Sequence, residues 1–182
     1  MLKRISVSKR HLVAITLGMF AALLFLTTPV PAAETPQQQL ERAETLSAEA
    51  TVKATLALET GDLALAQEAQ ALATEAAEIV STVADIAADT GDTALAQAAL
   101  NASVGVGEAT NIIVGAAETI AATSTDTATV EAATALATTA TTTAETTTTT
   151  QETAMATGAS MAVAEEAYEP PADTPADTPA DT

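Results

Sequence analysis

The side chains that most often carry chemistry are scarce in this sequence, which has one histidine, no cysteine and no tryptophan among 182 residues. The histidine is His11, inside the N-terminal segment, so the chain beyond residue 32 holds neither an imidazole base nor a thiol. Nucleophilic triads, thiol chemistry and the usual zinc, copper or haem ligand sets all require those residue types. Carboxylates remain. Glu75 and Glu78 stand three apart on one helical face, but acid catalysis by such a pair needs a desolvating pocket to raise one pKa. A chain with 2% aromatic residues is poorly equipped to build that pocket, so the pair reads as a solvated face. The expectation is a protein that is not an enzyme and uses no cofactor.

Acid pairs also attract hard cations. Glu41 with Glu44, and Asp89 with Asp92, offer oxygen ligands of the kind calcium and magnesium take. No segment has the regular aspartates, central glycine and closing glutamate of a calcium loop, and the aspartates are better explained as helix punctuation. No metal site is assigned; diffuse cation association through total charge is the rival reading. Asn101-Ala102-Ser103 matches a glycosylation sequon, in a stretch that reads as helix.

The elements that position these residues are announced by an internal repeat. Thr60-Gly61-Asp62-Leu63-Ala64-Leu65-Ala66-Gln67 recurs thirty positions later as Thr90-Gly91-Asp92-Thr93-Ala94-Leu95-Ala96-Gln97. That spacing suggests one helix per repeat. Gly61 and Gly91 suit the left-handed position that ends a helix, and Asp62 and Asp92 can accept from the free N–H groups that begin the next. Between the turns, Leu65, Ala69, Leu72, Ala76, Ile79, Val83 and Ile86 follow alternating steps of four and three, a heptad stripe. Leu95, Ala99, Ala102, Val106, Ala109, Ile113, Ala116 and Ile120 continue it, with small residues in much of the seam. The two helices should pack antiparallel. Residues 37–59 supply an earlier helix with Ala43, Ser47, Ala50, Ala54 and Ala57 at the same steps, with Pro36 near its start.

Further on, Ser124-Thr125-Asp126 is a degenerate third turn, followed by Val130, Ala133, Ala137, Ala140 and Ala144 as a fourth helix. Thr138 to Thr150 is dominated by threonine, whose branched Cβ and competing hydroxyl predict fraying or a linker. From Pro171, Pro-Ala-Asp-Thr occurs three times, a composition for extended, solvated chain. The predicted fold class is all-α: an antiparallel bundle or hairpin array of three to four alanine-rich helices with a disordered C-terminal tail. Its divisions are a signal peptide over 1–32, a helical bundle over 33–145 and a Thr/Pro-rich acidic tail over 146–182.

One stripe departs from the alanine pattern. Ser103, Gly107, Asn111 and Gly115 recur every fourth residue, and a glycine in a helix costs about 1 kcal/mol relative to alanine. Small residues let backbones approach closely. The stripe is therefore either a packing groove for a neighbouring helix of the same chain, the more common outcome, or a docking groove for a partner helix or a second copy. An extended conformation over 104–114 is a further option, given its glycines and branched residues.

Lys3, Arg4, Lys9 and Arg10 precede an apolar run from Leu12 to Leu26, shorter than the roughly 20 residues that span a bilayer. Pro29 and Pro31 break it before Val30 and Ala32, which meet the small-residue rule for cleavage after Ala32; Ala33 is an alternative. The expectation is export to the periplasm or the extracellular space, without stable membrane insertion after cleavage. With no cysteine behind the apolar run, lipid anchoring is not expected. Beyond residue 32 only Arg42 and Lys53 oppose 24 carboxylates, a charge of about −22. That balance disfavours nucleic acid and anionic lipid, which need clustered Lys and Arg.

The Gly-Asp turns resemble tetratricopeptide-type helical repeats, but the period differs and the aromatic positions are empty. An export signal followed by alanine-rich helices on short turns is similar to small periplasmic metal-binding proteins, yet Gln67, Gln70 and Gln97 do not replace their histidines. The threonine and alanine content resembles helical antifreeze proteins without their sustained threonine spacing. None of these carries a site to this chain. The sequence points to a structural or interaction protein acting through helix packing; the rival is a low-affinity divalent cation-binding or stress-protective acidic protein, and a third reading is a surface spacer with sugars on its threonines.

Overall fold

The computed structural model describes residues 34–161, 163 and 164. The proposed signal peptide and cleavage positions, and the Pro-Ala-Asp-Thr segment, lie outside them. Four helices account for nearly all of the described chain: α1 (Pro36–Thr60), α2 (Leu63–Thr90), α3 (Thr93–Thr123) and α4 (Thr127–Ala156). The fold is all-α, as expected, and residues 104–114 are helical within α3.

Each helix starts on a side chain that satisfies its free N–H groups. Thr35 caps α1 in a reciprocal capping box with Gln38, Pro36 occupying the first helical turn. Asp62 Oδ1 accepts from Ala64 N (2.8 Å) and Leu65 N (3.3 Å); Asp92 Oδ1 accepts from Ala94 N and Leu95 N, both at 3.0 Å. Gly61 and Gly91 end α1 and α2 at φ 71° and 66°, where a side chain would be strained. Ser124, by contrast, ends α3 in extended conformation, so the third turn is one residue longer. Turns this short force consecutive helices to run antiparallel.

Packing joins α1 to α2 and α3, and α4 to the same two helices, so α2 and α3 form the central pair. Along one part of the bundle Ala50, Ala54, Ala69, Ala116, Ile113 and Leu136 share a core. In the next part Leu40, Ala43, Ala76, Val80, Val83 and Val106 do so. The largest fully buried side chains are Leu40, Leu100 and Ile113, and the rest of the interior is mostly alanine. Alanine cores bury little surface per residue but bring helix axes close together, replacing side-chain interdigitation with extensive backbone-near contact.

The expected stripe of α2 is displaced. Leu65, Leu72, Ile79 and Ile86 are only half-buried, while Ala66, Ala73, Ala77, Val80, Ala84 and Ala87 are buried beside Ala69, Ala76 and Val83. The reason is geometric: α2 touches three helices, so its buried arc is wide, with alanines at the close approaches and larger aliphatics at the margins.

The expected division at 145/146 falls inside α4, which continues through the threonine block to Ala156. Threonine does not break this helix, for two reasons. Its hydroxyls donate to carbonyls four residues back, as from Thr142 to Thr138 O (3.2 Å) and from Thr147 to Thr143 O (2.9 Å), instead of competing for the helical N–H groups. Thr143, Thr147 and Thr150 are also buried, continuing the line of Ala133, Leu136 and Ala140. After α4, Ser160 N donates to Gln97 Oε1 (2.7 Å) while Gln97 Nε2 donates to Ser160 O (3.1 Å), and Ala164 is buried with Ala87, Ala96 and Leu100. The 146–182 segment is therefore packed in its first part, and residues 165–182 lie outside the described chain.

Candidate functional site

The short acidic motifs are divided among separate roles. Glu75 pairs with Arg42 across α1 and α2, leaving Glu78 exposed one turn on, without an ion-pair partner among the described residues. Lys53 donates to Glu68 at 2.9 Å with Glu49 at 3.8 Å; the Glu68 contact is what raises its pKa above the ordinary 10.5. Asp92 is a helix cap. No group of three His, Asp or Glu side chains close enough to hold a metal occurs among the described residues. In the sequon, Asn101 accepts from Gln97 (2.9 Å) and Ser103 is buried, donating to Leu100 O at 2.7 Å. A fourth cap, Asp126, accepts from Thr129 N (2.9 Å) and Thr129 Oγ1 (2.7 Å), and these bonds hold its carboxyl below the ordinary 3.8. It belongs to the degenerate turn already visible in the sequence.

The small-residue stripe of α3 divides in two. Its first half faces α4. Ser103 is fully buried, and a methyl group added at Gly107 would sit 3.9 Å from the Thr147 methyl, an ordinary contact. Ser103, Val106, Ala77, Val80, Thr147 and Thr150 enclose a gap there too small to admit water. This half is internal packing between helices of the same chain. The second half is turned outward: Asn111 is exposed, Gly115 is half-buried, and nothing lies within 4 Å of where a Gly115 side chain would begin. Glu108, Asn111, Gly115, Glu118 and Ala122 follow steps of three and four, so they share one helical face, and all but Gly115 are exposed. The result is a shallow notch with a carboxylate on either side.

A second feature has no counterpart in the sequence reading. Between α2 and α4 runs an open groove of about 410 Å³, lined by Thr74, Ala77 and Glu78 from one side and by Thr138, Thr139, Thr142, Thr143 and Thr146 from the other. Below it, Gln70 is 5% exposed and donates to Thr143 Oγ1 (2.8 Å) and Thr74 Oγ1 (2.9 Å). Its own carbonyl oxygen is buried without a hydrogen-bond partner. The groove was hidden because Thr138 to Thr150 read as fraying chain, and only the pairing of α4 with α2 creates it. Among the described residues no helix is long and apolar enough to cross a membrane. No known protein family, curated protein or solved structure matches this chain.

Proposed function

We propose that this is an exported, noncatalytic interaction protein of the cell envelope or extracellular space, which acts by packing one of its helices against a helix of a second copy. The observation that carries this reading is the outward half of the α3 stripe, where the backbone at Gly115 is open to a neighbour. A two-fold axis at Gly115 brings the two α3 helices together antiparallel. In that register Asn111 opposes Thr119 and lies beside Glu118 of the second copy, and Glu108 opposes Ala122, so each Asn111 amide can donate to a Glu118 carboxylate and no two carboxylates meet. The charge of about −22 on each chain keeps the pairing weak and salt-dependent.

Export rests on the basic start, the apolar run and the small residues before Ala33. The rival, low-affinity divalent cation binding, rests on charge excess alone. Sedimentation of the protein from Ala33, whose compact unit begins at Thr35, tests the pairing directly. The proposal expects a monomer–dimer equilibrium that tightens as sodium chloride rises and is abolished by Gly115→Leu, at a position where an added Cβ meets nothing within 4 Å in the single chain. A monomer at all concentrations and salts would remove the reading.

A further inference from the structure

The groove between α2 and α4 is polar in an unusual way. A threonine hydroxyl offers one donor and two acceptor positions. On the α4 side every proton is committed inward: Thr138 to Thr134 O (3.0 Å), Thr139 to Ala135 O (3.0 Å), Thr142 to Thr138 O (3.2 Å), Thr143 to Thr139 O (3.2 Å) and Thr146 to Thr142 O (3.1 Å). Thr143 is buried and its oxygen is taken up by the Gln70 amide (2.8 Å) and the Thr74 hydroxyl (3.5 Å); what the other four present to the groove is lone pairs and methyl groups. From α2 comes the carboxylate of Glu78, which has no cation partner among the described residues. The excess of acceptors continues below the surface in the unpartnered carbonyl oxygen of Gln70.

A groove with acceptors, methyls and one free carboxylate, but hardly a donor, complements a ligand with the opposite inventory: several N–H donors, a positive charge and an apolar stem. A divalent metal ion fits poorly, because neutral hydroxyls and one monodentate carboxylate do not make the six to eight oxygen ligands it prefers. An anion or a carbonyl-rich peptide would meet acceptors everywhere. We infer that the α2–α4 groove binds a small aliphatic amine in its ammonium form, with the ammonium at Glu78 and the methylene stem along the threonine methyls of α4. The volume of about 410 Å³ accommodates a short diamine or triamine lying along the helices. This goes beyond helix pairing and does not depend on it, since the notch and the groove lie on different faces of the bundle.

The test is a titration of the protein from Ala33, with ¹³C-labelled threonine methyls, by putrescine and separately by magnesium chloride at matched ionic strength. The expected result is saturable shifts confined to methyls of Thr74 and 138–146 with putrescine, and none of those shifts with magnesium. Glu78→Gln should weaken putrescine binding about fivefold, the size of a solvent-accessible ion pair, and Thr142→Val, which keeps the methyl and removes the acceptor, should weaken it severalfold. Glu59→Gln, a carboxylate at the end of α1, should leave it unchanged. Equal weakening by Glu59→Gln and Glu78→Gln, equal response to magnesium, or no saturable shift at the groove would overturn the proposal. Circular dichroism on each variant separates lost binding from lost fold, and because two chemically different variants report on the same groove, loss of fold in one leaves the other decisive.

Discussion

Three aspartates, Asp62, Asp92 and Asp126, each begin a helix by accepting from the N–H groups that the helix leaves free. Replacing Asp62 or Asp92 by alanine should each lower stability by about 1 kcal/mol in denaturant unfolding, and Gly91→Ala should cost a similar amount because φ 66° is strained for a residue with a side chain. Asp126 adds a pH signature. Its folded-state pKa is depressed by the bonds from Thr129, so the folded protein holds its proton less tightly than the unfolded chain does. That contribution is present in full above the unfolded pKa, near 4, and is lost as pH falls through the lower folded value. The gap in melting temperature between wild type and Asp126→Asn should therefore hold steady from pH 7 to about pH 5 and narrow below that; a gap constant to pH 2 would contradict the cap's role. These caps were legible in the sequence because a capping motif is local: residue type and two or three neighbours decide it. Thr35 and Gln38 of the α1 box also stand at the capping-box spacing, a local signal that the surrounding run of three glutamines obscures.

At the scale of the helix, α4 is the element whose extent the sequence concealed. Its positions 138–150 look unsuited to helix on propensity, and what overrides propensity is contact with α2 and α3, which no local pattern displays. Two valine substitutions separate the roles of buried threonines. Thr147 donates only to Thr143 O within its own helix, so Thr147→Val should be nearly neutral. Thr143 also receives the Gln70 amide, so Thr143→Val strands a buried N–H and should cost about 1–3 kcal/mol in chemical denaturation. The α3 stripe behaves likewise. Gly107→Ala places a methyl at ordinary contact distance from Thr147 and gains helix propensity, so it should stabilise the bundle by up to about 1 kcal/mol. Destabilisation there would mean that α3 and α4 pack more closely than the structure has them. From sequence alone the four positions of the stripe are equivalent; only the placement of α4 assigns Ser103 and Gly107 to the interior and Asn111 and Gly115 to the surface.

For the whole molecule, the balance is between a thin alanine core and strong self-repulsion. Repulsion among 24 carboxylates opposes compaction, so added sodium chloride should raise the melting temperature of the protein from Ala33 even at concentrations too low for association. The all-α class and the order of helices followed from repeat length and heptad spacing. The packing of both α1 and α4 on the central pair α2 and α3 did not, since alanine seams of similar spacing on every helix leave the choice of neighbours to tertiary packing. The most direct test of the central claim, that the outward face of α3 joins two copies, is thermal melting followed by circular dichroism over a hundredfold range of protein concentration, with calcium or with a chelator. The account predicts a melting temperature that rises with concentration, is indifferent to calcium, and becomes independent of concentration in Gly115→Leu. A melt independent of concentration but raised by calcium would contradict it and favour cation binding through the acidic surface.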